Sequence, residues 1–151
     1  MFTSELKQGG KLGPLIENVY ASKGLYQSLL TPLCRKYDLT DSELIILSYF
    51  SNNSGDTASD VVSSQRLKKS VVSGSIKDLV DKNLIEGFYL DGDRRSFHLK
   101  LTEDGKDVAR EVKKIQCSFY NLITDGLSEE EKEVLKSSFK KINKNIRKYK
   151  K

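Results

Sequence analysis

Residues 57–102 constrain the fold most, because they place two helical patterns, a charged turn and two strand patterns in fixed order. Thr57 is a good helix cap followed by Ala58, and the helix it opens turns Val61 and Val62 inward. A second helix is expected over 70–82, with Val72, Ile76, Leu79 and Val80 on one face. Opposite lie Lys69, Ser70, Val71, Ser73, Gly74 and Lys77, small residues with basic ends that let a helix approach another surface closely. Residues 84–90 and 96–101 read as strands, the second alternating Phe97, Leu99 and Leu101 against His98 and Lys100. Between them, Asp91-Gly92-Asp93-Arg94-Arg95 reads as a polar turn with two arginines at its exit. This order is that of a winged helix-turn-helix, with the charged turn as the wing.

Charge gives the second helix a direction. Between Asp60 and Asp78 the sequence has no acidic residue, while Arg66, Lys68, Lys69 and Lys77 all fall inside that interval. A helix N-terminus already carries partial positive charge, so each lysine there costs ~0.3–1 kcal/mol unless an anion occupies the site. A nucleic-acid phosphate would supply that anion.

At these residues the chain resembles the MarR family of transcription regulators. That family carries Asp-x-Arg in its wing, then a strand, then Leu-Thr opening a helix, and here the segment stands as Asp93-Arg94-Arg95, Ser96 to Lys100, and Leu101-Thr102. Glu103-Asp104-Gly105 follows, and Leu79 and Leu84-Ile85 extend the likeness upstream. Three positions depart from the family pattern: Asn83 where Gly is frequent, Gly87 where Arg is frequent, and Gly74 where a long polar residue is frequent. The resemblance implies that Arg95 enters a minor groove, that Asp93 orients it by a charge-assisted hydrogen bond, and that Arg94 contacts phosphate. It further implies a homodimer on double-stranded DNA at a pseudo-palindromic operator, most often as a repressor, released by a small-molecule effector or an oxidant.

Around the central unit the apolar periodicity describes helices. One is expected over 14–37, opened by Pro14, with Leu15, Ile16, Val19, Tyr26, Leu29, Leu30, Leu33 and Tyr37 in a single stripe and a kink or break near residues 28–32 caused by Pro32. Residues 1–12, with Gly9-Gly10, read as a polar arm. Thr40 and Glu43 form a capping box for a helix that is apolar nearly all round. After Thr102 a long helix carries Val108, Val112, Ile115, Phe119 and Leu122; Ser128 and Glu131 then cap another with Leu135, Phe139, Ile142, Ile146 and Tyr149. These terminal seams are assigned to a dimer interface with the first helix; the alternative is that they fold back on the winged core of one subunit. The basic tail from Lys140, which has no acidic residue, reads as a solvated helix end. The expected fold class is therefore mainly α (α+β), organised as an arm and dimerisation helix over 1–39, a winged region over 40–101 and dimerisation helices over 102–151.

Composition agrees with this reading. Mean hydropathy of −0.50 and 31% charged residues suit a helical chain that completes its core by pairing, and a net charge of +5 with pI about 9.1 suits a polyanionic partner. No apolar run approaches the ~18–20 residues that span a bilayer, and residues 1–7 are mixed in character, so no membrane role and a cytoplasmic location are expected. Cys34 and Cys117 lack metal-ligand spacing and read as free thiols. Cys34 reads first as a structural thiol and second as a candidate redox sensor, since it is flanked by Arg35 and Lys36 and a nearby cation lowers a thiol pKa. His98, the single histidine, reads as a surface residue with no catalytic partner, and neither a cofactor nor an enzyme activity is expected. The rival to a DNA-reading regulator is a winged-helix module that docks a protein without reading DNA.

Overall fold

The computed structural model describes residues 13–149, so the polar arm and the last two lysines lie outside the described residues. Eight elements follow in chain order: α1 (Gly13–Tyr37), α2 (Asp41–Phe50), α3 (Ala58–Gln65), α4 (Lys69–Asp81), β1 (Ile85–Leu90), β2 (Asp93–Leu101), α5 (Glu103–Ile123) and α6 (Glu129–Lys148). The chain divides into two compact units, one ending at Phe119 and the other running from Tyr120.

Local code starts most of the helices. Thr40 accepts from the Glu43 N–H while Glu43 accepts from the Thr40 N–H, and the same reciprocal box links Thr57 with Asp60 and Ser128 with Glu131. Each box satisfies two otherwise orphaned amides. The Thr102 hydroxyl accepts from the Gly105 N–H at 3.0 Å and serves α5 in the same way.

The core of the first unit forms where these elements converge. Phe50, Leu44, Ile46 and Leu47 of α2 are fully buried with Val61, Val72, Leu79, Ile85, Leu99, Val108 and Val112. The helix read as apolar all round is thus the central one. The α1 stripe splits: Leu30 and Leu33 are buried and Tyr26 and Tyr37 pack on the core, but Leu15, Ile16 and Val19 remain more than half exposed. The first two residues of the α5 seam, Val108 and Val112, also lie in this one-chain core, so that part of the assignment to a partner surface is corrected. In the second unit Phe139, Ile142 and Ile146 stay exposed along α6.

Three further expectations change. The helix α1 continues through Pro32, so of the kink or break expected there the break does not occur. The bond lost is to the carbonyl of Ser28, an exposed residue, so water replaces it at little cost. Val80 is exposed, and the buried line of α4 is Val72, Ser75 and Leu79. At 100° per residue, Val80 lies about 80° round from Val72, too far to share its contacts. The strands reach further toward the tip than the alternation suggested, so the turn is only Asp91-Gly92 and the arginines stand within β2.

The hairpin is antiparallel, pairing Gly87 with Leu99 and Phe88 with His98, with an irregularity between Phe88 and Leu90. Phe97 is half exposed, lying beside Tyr89 and across Gly87, where an added Cβ would stand 2.0 Å from the Phe97 ring. His98 is not a free surface residue. Its Nδ1 lies 2.6 Å from the Gly55 carbonyl and it bridges to Thr57, which ties the hairpin to the entrance of α3. Among the described residues no helix is long and apolar enough to cross a membrane.

Candidate nucleic-acid interface

The helix α4 is held by one face and open on the other. Val72 and Leu79 are wholly buried and Ser75 nearly so, whereas Lys69, Ser70, Ser73, Gly74 and Lys77 are exposed and Val71 is partly so. A side chain added at Gly74 would meet nothing within 4 Å. The glycine is therefore not required by internal packing, although it costs about 1 kcal/mol relative to alanine in a helix interior. What it leaves is room above the helix.

The N-terminus of α4 differs from those of α2, α3, α5 and α6. Its cap residue, Lys68, makes no side-chain cap bond, and its first turn holds no acidic residue. Orphan amides at this end point to solvent together with the positive end of the helix dipole. Lys69 follows directly, and Arg66, in the left-handed region at φ +58°, closes α3 just before it. An open helix end, whose amides can donate to an anion, and three cations thus stand together within residues 66–69, which is the local chemistry of a phosphate contact.

The hairpin supplies a second group of cations. Arg94 and Arg95 are exposed and form no ion pair among the described residues. Asp93 Oδ1 accepts the backbone N–H of Arg95 at 2.8 Å, and this bond holds the Asp93 carboxyl below the usual carboxylate range. The bond falls on the backbone, so in the free protein Asp93 shapes the strand that carries Arg95 and leaves the guanidinium unpaired. Gly92, at φ +83°, makes the tip. Asn83 adopts φ +56° at the exit of α4, the conformation for which asparagine is the best substitute for glycine.

Cys34 does not have the setting its neighbours suggested. Lys36 pairs with Glu111 at 2.8 Å and not with the thiol, which lies 3.6 Å from Asp41 Oδ1. Burial pushes the thiol up, and the bond to Asp41 adds to this. The argument from flanking cations is therefore reversed. Cys117 is exposed, and among the described residues no cluster of His, Cys, Asp or Glu could hold a metal ion.

One feature of the first unit had no signal in the sequence. A cleft of about 330 Å³ opens between α1, α2 and α5 and reaches the end of α3, lined by Tyr26, Leu30, Ser48, Gln65, Val112 and Gln116 among others. Gln116 bridges its mouth, donating to Ser48 Oγ at 3.1 Å and to the Tyr26 hydroxyl at 3.4 Å. These groups are separated by up to about 90 residues, and no local pattern brings them together.

Residues 37–96 match the sequence model of the MarR family. Solved structures share the fold. A putative MarR family transcriptional regulator from Listeria monocytogenes, complexed with 26mer DNA, is 19% identical with a TM-score of 0.80, over 89% of each chain. A MarR family transcriptional regulator from Silicibacter pomeroyi is 19% identical with a TM-score of 0.77, over 91% of this chain and 92% of that one. A MarR transcriptional regulator from Methanosarcina mazei Go1 is 18% identical with a TM-score of 0.76, over 87% and 94%.

Proposed function

We propose that this chain is a transcriptional regulator of the MarR family, whose sequence model matches residues 37–96 and whose solved structures share its fold, and that it binds a pseudo-palindromic DNA operator as a homodimer, acting as a repressor that an effector releases. The solved structures that share the fold are described as transcriptional regulators, so the functional question is what the chain binds.

The observation that carries this reading is the corner at the start of α4, where an uncapped helix end, Arg66, Lys68 and Lys69 coincide. In the proposed complex α4 enters the major groove with Ser70, Ser73, Gly74 and Lys77 toward the bases, and Val71 offers an apolar contact. The hairpin reaches the flanking minor groove with Arg95, while Arg94 meets phosphate. Two subunits place their half-sites about one helical turn apart. Exposed apolar residues support pairing in each unit separately: Leu15, Ile16 and Val19 on α1, and Phe139, Ile142 and Ile146 on α6. The cleft lined by Tyr26, Ser48 and Gln116 is the place we assign to a small-molecule effector, because it joins α1 and α5 to the end of α3 and is large enough for a small ligand.

The test uses the full chain and duplexes selected from a random pool, with binding read by fluorescence anisotropy across salt. The expected result is preference for the selected duplex over a scrambled one and a steep linear fall of log affinity with log salt. Equal binding to both duplexes, or none at low salt, would refute the reading and favour a protein-docking module.

A further inference from the structure

The C-terminal end of α4 is held from two sides. Lys82, its C-cap residue, donates from Nζ to the Asp38 carbonyl and lies 3.4 Å from Glu43 Oε1. Asp38 sits at φ +51° in the elbow between α1 and α2. Glu43 is only 2% exposed, and its other oxygen accepts the Thr40 N–H at 2.6 Å. The carboxylate is thus fixed by the capping box of α2 before it meets Lys82. A buried carboxylate that loses its cation is left uncompensated, so this lysine cannot swing away cheaply. On the other side, the Thr102 hydroxyl donates to the Asn83 carbonyl at 2.7 Å and the Thr102 N–H to the Leu84 carbonyl at 3.2 Å. Gly105 permits that approach, since a Cβ there would stand 1.9 Å from the Leu84 oxygen.

We infer that Lys82 is a positioning residue for DNA reading: through Asp38 and Glu43 it fixes the angle of α4 against the elbow of α1 and α2, and so carries displacements of α1 to the reading helix. The inference rests on the DNA-binding function proposed above. Two acceptors already hold two of the three donors of the ammonium group, which assigns it to the helix. The hold from α5 keeps the exit of α4 in place but does not connect it to α1. Lys82 is the link from α4 to that elbow, through the Asp38 carbonyl, and to α2, through the Glu43 carboxylate.

The experiment compares Lys82→Met, Lys82→Arg and Glu43→Gln with the wild type, all as full chains, on a duplex selected by the wild type and on a scrambled one. Amide exchange over residues 76–84 is followed without DNA. Lys82→Met is expected to bind the selected duplex about tenfold more weakly and the scrambled duplex within about twofold of wild type. Its salt slope should be unchanged, and exchange at the end of α4 should quicken. Lys82→Arg should restore both readouts, because a guanidinium can still meet the carbonyl and the carboxylate. Glu43→Gln keeps the shape and removes the charge, and should reproduce the loss even if Lys82→Met folds poorly. Unchanged affinity and exchange in both Lys82→Met and Glu43→Gln would overturn the inference. A salt slope lowered by about one unit in Lys82→Met would also overturn it, by making Lys82 a phosphate contact. A wild type that prefers no duplex would instead refute DNA reading, and the exchange rates would still report on the link.

Discussion

Replacing Lys68 with serine should make the protein more stable and a poorer DNA binder. Lys68 is the cap residue of α4 at φ −65°, ψ 143°, close to Ser128 at φ −68°, ψ 164°, whose hydroxyl caps α6. A serine at position 68 can therefore accept the Val71 N–H as Ser128 accepts that of Glu131. A gained cap contributes about 1 kcal/mol within a range of about 0.5–2, and removing a lysine from the positive end of the helix adds a few tenths. In a chain of this size that raises Tm by about 2–4 °C. On DNA the same change removes one cation and occupies one phosphate-accepting amide. The slope of log affinity against log salt should fall by about 0.9, which means that the variant's deficit narrows about threefold between 50 and 200 mM salt. Thermal denaturation and anisotropy titrations at several salt concentrations measure the two effects on one preparation. If Lys68→Ser gains stability and keeps the wild-type slope, the start of α4 is not a phosphate site. If it loses stability, the uncapped end is not a weak point of α4.

Three other perturbations address the rest of the interface. Arg95→Ala should weaken binding to the selected duplex by about 1–3 kcal/mol, with Asp93→Ala a milder version because it only frees the strand carrying Arg95; wild-type affinity in Arg95→Ala would remove the hairpin from reading. Ile142→Asp combined with Ile146→Asp should convert a dimer to a monomer of 17.1 kDa in light scattering; an unchanged mass would place the subunit contact elsewhere. With its thiol pushed up by burial and Asp41, Cys34 should hold little thiolate near neutral pH. Peroxide should then release DNA to the same extent from wild type and Cys34→Ser, and release from the wild type alone would restore the thiol to the mechanism.

How much the sequence disclosed follows from the range of each interaction. The capping residues Thr40, Thr57 and Ser128 were legible because a cap bonds within three residues of itself. The order of helices and strands was legible for the same reason, since periodicity is local. His98 was misread because its partner, the Gly55 carbonyl, is 43 residues away and belongs to the backbone, which carries no sequence signal. Phe97 followed the alternation but not the burial, as Gly87 on the neighbouring strand receives its ring outside the core. The setting of Cys34 was not legible from its chain neighbours, which on a helix point in other directions, while Asp41 approaches from the next element. The link between Lys82 and Glu43 spans 39 residues and the cleft near Gln116 joins three helices, so both required the fold.

The composition of α4 makes sense only when its two faces are considered together. Gly74, the missing cap and two lysines at the positive end together cost about 3 kcal/mol relative to a well-designed helix. Burial of Val72 and Leu79 contributes about 3–6 kcal/mol, enough to hold the helix in place despite those choices. The unfavourable residues all lie on the exposed side or at the open end, and the favourable ones on the buried side or at the pinned exit. Were this only a structural helix, a cap at position 68 and alanine at position 74 would strengthen it at no loss, since nothing within 4 Å forbids a side chain there. The arrangement gives up local stability where an anionic surface would approach and recovers it where the protein holds the helix. That asymmetry is the pattern expected of a helix that reads nucleic acid.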